Sequence, residues 1–474
     1  MATEHKHKKE AVSRRTFIRN AATAAVGTAA VSAMTAKTAK ADVYKSILPQ
    51  TVLGANETVR LGMIGIGTMG RNHLKAIFKR EDLKPIAICD LYPRNLEKAA
   101  GMLGQRFPDL TPTQHKDFRE VIDNKDVDAV LIATSDHWHC LCTLYAAEAK
   151  KAIYCEKPLS TTIEEGKAMV EAVRRNKIIF QGGTMQRSGP HFQEAVELVK
   201  SGYLGKISRV ETYNHENTPI KGFDIVEGHD NINDPKWAGL DWDFYQGWVE
   251  HKPFEINRWI YNFRWFLDYS GGKITDWGTH LIDIVLWAMG EEKQPKSVVA
   301  VGKKFLVQDL RTTPDTLEAI WEFDDYILSF SNRVCNGYLP KGYQDHGILF
   351  HGTLGTMVLD RGGFEVIPVA NNEGCEPKKV QNPADVTLWY DIHWQNFLDC
   401  MKSGQDPIVN VEHLYNTTRV CHMGTCAYVA DGRLKWDPAT EKFVGEDEAT
   451  KRGNEWAYRP YLNGWSLKAP FRAA

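Results

Sequence analysis

A glycine-rich segment that follows an apolar run constrains this chain more than any other feature. Residues 63–70 read Met-Ile-Gly-Ile-Gly-Thr-Met-Gly, a G-x-G-x-x-G pattern, with a strand-like run at 59–66 and a helix-like segment at 71–80. In such a unit Gly65 permits the tight turn, Gly67 lets a pyrophosphate approach the backbone, and Gly70 lets the helix pack on the strand. The pattern therefore predicts a dinucleotide whose pyrophosphate binds at the N-terminus of the helix.

The next strand-like segment ends in an acid at the position that such a unit uses for the ribose. Residues 84–90 read Lys-Pro-Ile-Ala-Ile-Cys-Asp, and Asp90 lies 20 residues beyond Gly70. A carboxylate there accepts ribose hydroxyls and repels a 2′-phosphate, so the sequence favours NAD over NADP. The alternative is a glycine-rich turn without a ligand, with Asp90 merely capping the next helix.

Composition sets the broad class of the chain. Its 474 residues are 43% hydrophobic, enough for a large core and for two or three domains. A formal net charge of −2 gives no electrostatic footprint for nucleic acid. The nine cysteines are scattered without a metal or disulfide pattern, and we interpret them as buried small hydrophobic residues.

The N-terminus resembles a twin-arginine export signal. Arg14 and Arg15 are followed by Phe17, by a mildly apolar, alanine-rich stretch at 21–36 and by an Ala-Lys-Ala cleavage motif ending before Asp42. The apolar stretch is too short and too rich in small residues to form a stable transmembrane helix. We therefore expect a periplasmic protein that has no integral membrane span once the signal is removed, or one that stays tethered by an uncleaved signal; the alternative to an export signal is a disordered basic tail.

Strand-like and helix-like segments alternate after a linker at 42–58. Predicted strands lie at 59–66, 84–89, 128–134, 152–155 and 177–182, with helices at 71–80, 94–105, 139–150 and 163–176. This alternation predicts an α/β fold with a parallel, doubly wound sheet. A helix at 191–201 then precedes strands at 207–213, 297–306, 317–323, 326–333, 348–351 and 356–360. That run predicts a second α/β domain with a large open, mostly antiparallel sheet.

The same patterns set the predicted domain boundaries. They are 1–41 for the signal peptide, 42–58 for the linker, 59–183 for an NAD-binding Rossmann domain, 184–435 for a substrate domain, and 436–474 for a C-terminal arm.

Polar residues follow the predicted strands at their carboxyl ends, where open α/β sheets bind ligands. The loop at 133–139 reads Ala-Thr-Ser-Asp-His-Trp-His, and the next strand is followed by Glu156, Lys157 and Pro158. A Glu-Lys pair is usually a solvated surface ion pair. At this strand end, however, the ammonium of Lys157 can reach a substrate hydroxyl beside the nicotinamide.

Asp276 and His280 lie four residues apart and share one face if their segment is helical. Imidazole, with an ordinary pKa of about 6.5, is suited to accept a hydroxyl proton. The alternative is a histidine capped by an aspartate within a helix core. A zinc site would need a third ligand at a recognisable spacing, and none is evident, so no metal is predicted.

Six tryptophans crowd a short stretch of the second domain: Trp237, Trp242, Trp248, Trp259, Trp265 and Trp277. Aromatic faces with polar neighbours such as Arg264 suit a carbohydrate, whose ring has apolar C–H faces and a polar rim. We expect one or two of these rings to touch the substrate and the others to form core.

Together, these motifs are similar to the glucose-fructose oxidoreductase, inositol dehydrogenase and MocA family. The resemblance covers roughly residues 59–440 and is carried most specifically by Glu-Lys-Pro and Asp-x-x-x-His. It implies a Rossmann domain and an open-sheet domain that often forms an oligomer interface, hence a homo-oligomer. It also implies that Lys157 is the catalytic lysine, Asp276 the substrate-orienting acid and His280 the general base.

The candidate site residues fall into two further sets. Cofactor-binding candidates are Gly65, Gly67, Thr68, Met69, Gly70, Asp90, Thr134, His139, Glu156 and Lys157. Substrate-binding candidates are Lys157, Arg264, Trp265, Asp276, Trp277 and His280.

These inferences support an exported oxidoreductase that transfers a hydride from a secondary hydroxyl of a sugar, glycoside or cyclitol to tightly bound NAD. Because the periplasm holds no useful free NAD pool, the cofactor must be bound before export and recycled in place. A second hypothesis is a redox-neutral glycoside hydrolase or lyase that acts through a keto-sugar. A third is a non-catalytic nucleotide- or sugar-binding protein, which the intact Lys157 and His280 argue against.

Overall fold

The computed structural model describes residues 58–216, 231–335, 344–371, 373–382, 386–469 and 471. The predicted signal peptide at 1–41 and all but the last residue of the predicted linker at 42–58 lie outside these ranges. Within them, the chain forms two sheets with their flanking helices.

The N-terminal sheet consists of β1 (Val59–Ile64), β2 (Leu83–Cys89), β3 (Thr113–His115), β4 (Ala129–Ile132), β5 (Ala152–Cys155) and β6 (Phe180–Gly182). Its order is β3-β2-β1-β4-β5-β6, and every pair is parallel. The flanking helices are α1 (Thr68–Ile77), α2 (Pro93–Arg106), α3 (Phe118–Asp123), α4 (His139–Glu148) and α5 (Ile163–Asn176). The predicted doubly wound sheet is confirmed, and its order reverses between β1 and β4, where such sheets bind ligands.

The strand β3 was missing from the predicted elements. It has three residues, Thr-Gln-His, and none of them is buried. A strand this short and polar leaves no apolar run or alternation in the sequence, so a periodicity argument does not detect it.

The C-terminal sheet consists of β7 (Ile207–Glu216), β8 (Ser297–Lys303), β9 (Thr316–Glu322), β10 (Ile327–Val334), β11 (His346–Gly352), β12 (Gly355–Asp360), β13 (Gly363–Pro368), β14 (Lys378–Gln381), β15 (Leu434–Asp437) and β16 (Lys442–Val444). Their order is β14-β13-β12-β11-β7-β10-β9-β8-β15-β16. Among these described strands only β7 and β10 pair in parallel, so the prediction of a mostly antiparallel sheet is confirmed.

The helices of the C-terminal part are α6 (Pro190–Lys200), α7 (Trp242–Gln246), α8 (Lys273–Met289), α9 (Val386–Ser403), α10 (Val411–Ala430) and α11 (Glu448–Ala457). The helix α8 contacts β7 and β10 of the sheet as well as α6 and α10. It is buried around most of its circumference, as expected for a helix between a sheet and other helices. The opposite sheet face exposes apolar side chains, among them Val301, Ile320, Ile327 and Ile367.

The helix α9 returns to the N-terminal sheet. Trp394 stacks on Tyr154 of β5 with the ring centroids 4.5 Å apart, and Phe397 joins the core that contains Leu61 and Leu131. All nine cysteines are buried and free, as predicted. No helix in the described ranges is long and apolar enough to cross a membrane.

Candidate active site

The turn between β1 and α1 has the geometry that the glycine pattern predicts. Gly65 adopts a φ of +86°, and a Cβ there would lie 2.6 Å from the carbonyl oxygen of Ala133. A Cβ on Gly70 would overlap the carbonyl oxygen of Gly65, so only glycine lets α1 approach the turn this closely. At Gly67, by contrast, nothing lies within 4 Å of the Cβ position. This space adjoins the N-terminus of α1, whose N–H groups attract phosphate.

Asp90 follows β2 and contacts the same turn. Its carboxylate accepts hydrogen bonds from the backbone N–H groups of Ile66 and Tyr92, both at 2.9 Å, and from Nδ2 of Asn95 at 3.2 Å. Burial raises the pKa of Asp90, and these hydrogen bonds oppose that rise. The carboxylate is thereby held beside the glycine turn, at the position expected for ribose recognition.

A single cavity of about 350 Å³ joins the glycine turn to α8. The predicted site residues that line it are Gly65, Gly67, Thr68, Met69, Asp90, Thr134, His139, Glu156, Lys157, Arg264, Asp276, Trp277 and His280. Gly70 is buried behind the turn, in the packing role predicted for it. Cofactor and substrate candidates from both parts of the chain therefore share one cavity.

Lys157 and Asp276 form an ion pair across this cavity. Nζ of Lys157 donates to Oδ1 of Asp276 at 2.7 Å and to the backbone carbonyl oxygen of Asp276 at 3.0 Å. Nε of Arg264 donates to the same Oδ1 at 3.2 Å. Burial alone would raise the pKa of Asp276, but the charges of Lys157 and Arg264 outweigh it and hold that pKa well below its usual range. Asp276 is therefore ionised and fixes the position of the ammonium.

His280 lies one turn after Asp276 on α8, as the spacing predicts. The ring is buried, and its Nδ1 has no hydrogen-bond partner among the described residues. Burial, followed by the charges of Lys157 and Arg361, holds the pKa of His280 well below its ordinary value. The imidazole is consequently neutral near pH 7, the form that a general base requires.

Two segments of the chain match one family. Residues 59–184 match the oxidoreductase family with an NAD-binding Rossmann fold, and residues 236–358 match the GFO/IDH/MocA C-terminal domain. The chain belongs to the GFO/IDH/MocA oxidoreductase family. The N-terminal sheet is thus the NAD-binding domain of the family, and the open position at Gly67 and the carboxylate of Asp90 fit NAD.

Other members of the GFO/IDH/MocA family show how far the similarity extends. The chain is 31% identical over 366 residues to a myo-inositol 2-dehydrogenase of Thermotoga maritima, which covers 75% of this chain and 91% of that protein. It is 24% identical over 322 residues to an inositol 2-dehydrogenase of Rhizobium meliloti, with 67% and 80% covered. A levoglucosan dehydrogenase solved in complex with NADH shares the fold, with a TM-score of 0.62 and 19% identity. The superposition covers 80% of this chain and 99% of that one.

In this family member, Glu156 is held from the side of the N-terminal sheet. Its carboxylate accepts hydrogen bonds from Nε2 of His73 at 2.8 Å and from the backbone N–H of Lys157 at 3.1 Å. Nε1 of Trp394 donates to Nδ1 of His73 at 3.1 Å, which leaves the ring proton on Nε2. Although burial raises the pKa of Glu156, the His73 hydrogen bond and the Lys157 charge lower it below its usual range. An ionised carboxylate therefore lies beside Lys157.

His139 connects the two strand-end loops. Its Nδ1 lies 2.7 Å from the carbonyl oxygen of Pro158, and its Nε2 lies 3.3 Å from the carbonyl oxygen of Thr134. The ring therefore lies between the loop after β4 and the loop after β5, within hydrogen-bonding distance of a carbonyl oxygen in each. His139 lines the cavity, and its contact with the cofactor stays a prediction.

Part of the tryptophan-rich segment lies over the Asp90 side of the cavity. Oη of Tyr92 donates to the carbonyl oxygen of Lys236 at 2.6 Å, and the Tyr92 ring lies 6.0 Å from the Trp259 ring. Trp259 itself lines the cavity. The segment at 236–263, here called the aromatic cover, thus covers the end of the cavity that Asp90 lines.

Of the six clustered tryptophans, Trp259 and Trp277 line the cavity. Trp265, a predicted substrate residue, does not. Its ring is buried and packs against the ammonium of Lys273 at 5.1 Å. Trp248 stacks at 4.3 Å on Tyr461 of the C-terminal arm, which therefore packs on the tryptophan-rich segment of its own chain.

Many other residues line the cavity without having been predicted as site residues, among them Asp136, Arg361 and Tyr390. Asp136 accepts a hydrogen bond from Oγ of Ser270 at 2.5 Å, Arg361 stacks over Trp277 at 4.7 Å, and Tyr390 comes from α9. Asp136 lies in the polar loop at 133–139, and its position after a predicted strand was a signal that could have identified it. Arg361 and Tyr390 lie outside any sequence motif. No cluster of three or more metal-ligating side chains occurs in the described part of the chain.

Proposed function

We propose that this chain is an exported NAD-dependent dehydrogenase that oxidises a secondary hydroxyl of a sugar, a glycoside or a cyclitol. The observation that carries the proposal is the single cavity lined both by the glycine turn with Asp90 and by Lys157, Asp276 and His280. The inositol 2-dehydrogenases among its relatives support a polyol as the class of substrate.

Each residue has a task that its surroundings support. Neutral His280 accepts the hydroxyl proton. The ammonium of Lys157 donates to the same hydroxyl oxygen and stabilises the negative charge that develops there. Asp276, at 2.7 Å from Nζ of Lys157, holds that ammonium in place. When bound, NAD supplies the hydride acceptor.

A panel of cyclitols, aldoses and alkyl glycosides tests this activity. We expect the purified protein to generate NADH with at least one member and to yield a product with one new ketone. The Lys157→Ala variant should lose this activity, whereas Lys435→Ala, an exposed lysine on β15, should retain it. A protein that binds NAD but oxidises no member would contradict the proposal.

The aromatic cover supports a cofactor that stays bound. A ring over the ribose end of the cavity slows dissociation, and an exported enzyme needs this because its surroundings supply no replacement. We expect about one NAD(H) per purified chain by mass spectrometry after denaturation. Trp259→Ala should lower this content, whereas Trp456→Ala, on α11, should not. Empty wild-type protein that requires added NAD would argue against retention.

A retained cofactor also suits a redox-neutral cycle on a glycoside, which is the second candidate. Oxidation two carbons from the anomeric carbon acidifies the C–H between them, so elimination of the aglycone, addition of water and reduction of the ketone would complete hydrolysis. The products from a glycoside panel without added NAD separate the two activities. Ring-oxidised sugars support the dehydrogenase, and free aglycone with unoxidised sugar supports the hydrolase.

Export by the twin-arginine route is part of the proposal and rests on the paired Arg14 and Arg15. Fractionation of cells that express the full chain should place the protein in the periplasm. Replacing both arginines by lysine should leave it in the cytoplasm, whereas replacing Lys8 and Lys9 by arginine should not. Cytoplasmic wild-type protein would contradict export.

We also propose a homo-oligomer that covers the open face of the C-terminal sheet. The exposed apolar side chains Val301, Ile320, Ile327 and Ile367 support this. Light scattering after size exclusion should give a dimer or tetramer, and Ile320→Asp should shift it toward monomer. A monomeric wild type would contradict this part of the proposal.

A further inference from the structure

Arg361 is a cation in the cavity wall that makes no direct contact with a carboxylate of the described residues. It lies in the turn between β12 and β13 and lines the same cavity as Lys157 and His280. Its Nε donates to Oε1 of Gln186 at 3.1 Å, which is a neutral partner. A half-buried guanidinium with only a neutral partner is costly to keep, unless a ligand pairs with it.

Asp276 and Asp345, the carboxylates that attract Arg361, both have closer partners: two cations in the case of Asp276, and the ring of His346, whose pKa burial lowers, in the case of Asp345. Oδ1 of Asp276 accepts hydrogen bonds from Lys157 and Arg264. Oδ1 of Asp345 lies 2.6 Å from Nδ1 of His346. Asp276 and Asp345 attract the guanidinium only at longer range, and burial lowers the pKa of Arg361. The charge of Arg361 is therefore available to a ligand in the cavity.

The guanidinium is held in one orientation. Its centre lies 4.7 Å from the centroid of the Trp277 ring. Gln186, which accepts from Nε, also donates through its own Nε2 to the backbone carbonyl oxygen of His280 at 3.0 Å. One face is stacked, Nε donates to Gln186, and no described residue accepts a hydrogen bond from either Nη atom, so the two Nη atoms are left for a ligand. This planar edge matches the two oxygens of a carboxylate.

We propose that the substrate carries a carboxylate that binds to Arg361, as in a uronic acid, while its secondary hydroxyl lies at Lys157 and His280. The inference rests on the proposed function, because it names the substrate class of the same site. Gln186 and Trp277 act as positioning residues for the guanidinium.

Pairs of sugars that differ only at C6 test the inference: glucuronate with glucose, galacturonate with galactose, and mannuronate with mannose. We expect wild-type kcat/KM to be higher for the uronate of at least one pair. Arg361→Gln should lower kcat/KM for that uronate by roughly 10- to 100-fold, chiefly through KM, and change the neutral sugar by less than about threefold. Arg361→Lys, which retains charge without the fork, should recover part of the loss.

The matched control is Arg433→Gln, an exposed arginine paired with Glu322 at the edge of the C-terminal sheet. It should leave both substrates unaffected. A wild-type preference for every neutral sugar, or an equal loss for both members of each pair in Arg361→Gln, would overturn the inference. A preference for sugar 6-phosphates over uronates would overturn the carboxylate assignment as well.

Equilibrium binding separates this inference from the proposed function. The fluorescence of bound NADH should respond to uronates, and Arg361→Gln should weaken that response without changing NADH affinity or the melting temperature. Arg361-dependent uronate binding without turnover of any alcohol would contradict the dehydrogenase but support the carboxylate site. Turnover of neutral sugars, with no effect of Arg361→Gln on uronate binding, would support the dehydrogenase but contradict the carboxylate site.

Discussion

The glycine turn after β1 and the cavity face of α8 line one cavity but hold their residues by different means. In the turn, Gly65 and Gly70 are separated by only five positions. A Cβ on Gly70 would overlap the carbonyl oxygen of Gly65, so the local backbone geometry alone requires glycine there. On α8, Asp276 meets a lysine that lies 119 positions away in the chain. Cofactor recognition therefore depends on local stereochemistry, whereas the reactive group depends on how two sheets pack.

The two sides also differ in electrostatics. Asp90 beside the turn is paired mainly with backbone N–H groups of its neighbours. On the α8 side, Lys157, Arg264 and Asp276 form a network of full charges. Burial and then the charge of Lys157 lower the pKa of His280, whereas the charges of Lys157 and Arg264 outweigh burial and lower the pKa of Asp276. Substitutions near the turn should thus alter affinity for NAD, and substitutions near α8 should alter turnover and its pH dependence.

The largest expected effect concerns Lys157 and His280. Each change to alanine should lower kcat by roughly 10²- to 10⁴-fold, because each removes a group that handles the reacting proton or its charge. The double variant should lose far less than the product of the two losses, since groups that act as a unit are non-additive. Steady-state kinetics with saturating NAD measures both, and NAD affinity should be unchanged.

If the His280→Ala variant turned over substrate at the wild-type rate, His280 would not be the general base. Attention would then move to His139 and Tyr245, which line the same cavity. Multiplicative losses would instead show that Lys157 and His280 act independently.

The second effect separates affinity from stability at the turn. Gly67→Ala should weaken NAD binding by roughly tenfold or more, because its Cβ would occupy the space reserved for the pyrophosphate. Its free energy of unfolding should stay within about 1 kcal/mol of wild type, since no atom lies within 4 Å of that Cβ in the structure. Fluorescence titration with NADH and denaturant unfolding measure the two quantities.

Gly104→Ala on α2 is the matched control, because its Cβ also meets nothing within 4 Å. It should raise the free energy of unfolding by about 0.5–1 kcal/mol through helix propensity and leave NAD affinity unchanged. If Gly67→Ala binds NAD as wild type does, the pyrophosphate does not lie at Gly67.

A smaller effect is expected at Asp90. Asp90→Asn removes the repulsion against a 2′-phosphate and keeps an oxygen that accepts the Ile66 N–H. The ratio of the NADP to the NAD dissociation constant should fall by roughly tenfold. Asp126→Asn, an exposed carboxylate before β4, should leave the ratio unchanged. An unchanged ratio in Asp90→Asn would mean that its carboxylate does not contact the ribose.

The smallest effect is a displacement of the pH profile. Since the pKa of His280 lies below its ordinary value, kcat/KM should rise with pH in the acid range, below about pH 6.5, and be level through neutrality. Arg361→Gln removes a cation that disfavours the imidazolium, so its acid limb should lie at higher pH, by up to about one pH unit. A neutral substrate keeps carboxylate binding out of the measurement. A limb that moves to lower pH would contradict this electrostatic account.

Local patterns predicted much of the fold. The helix at 163–176 has the predicted limits, because a capping box of Thr162 and Glu165 fixes its start and its apolar spacing continues to its end. The helices α9 and α10 were missed, although both are long. Their apolar residues are spread around the helix, since α9 packs on the N-terminal sheet and α10 is buried on several sides. Periodicity is weak where a helix is enclosed.

The amino-acid sequence by itself determined the glycine turn, Asp90, the spacing of Asp276 and His280, and membership of the family. Each depends on residues within about one supersecondary unit, where backbone stereochemistry and side-chain periodicity act directly. Only the tertiary structure decided that Arg361 and Tyr390 line the cavity, that Trp394 supports Glu156 through His73, and that Trp265 lies outside. Burial and charge pairing arise between distant segments, and they exist only once the two sheets have packed together.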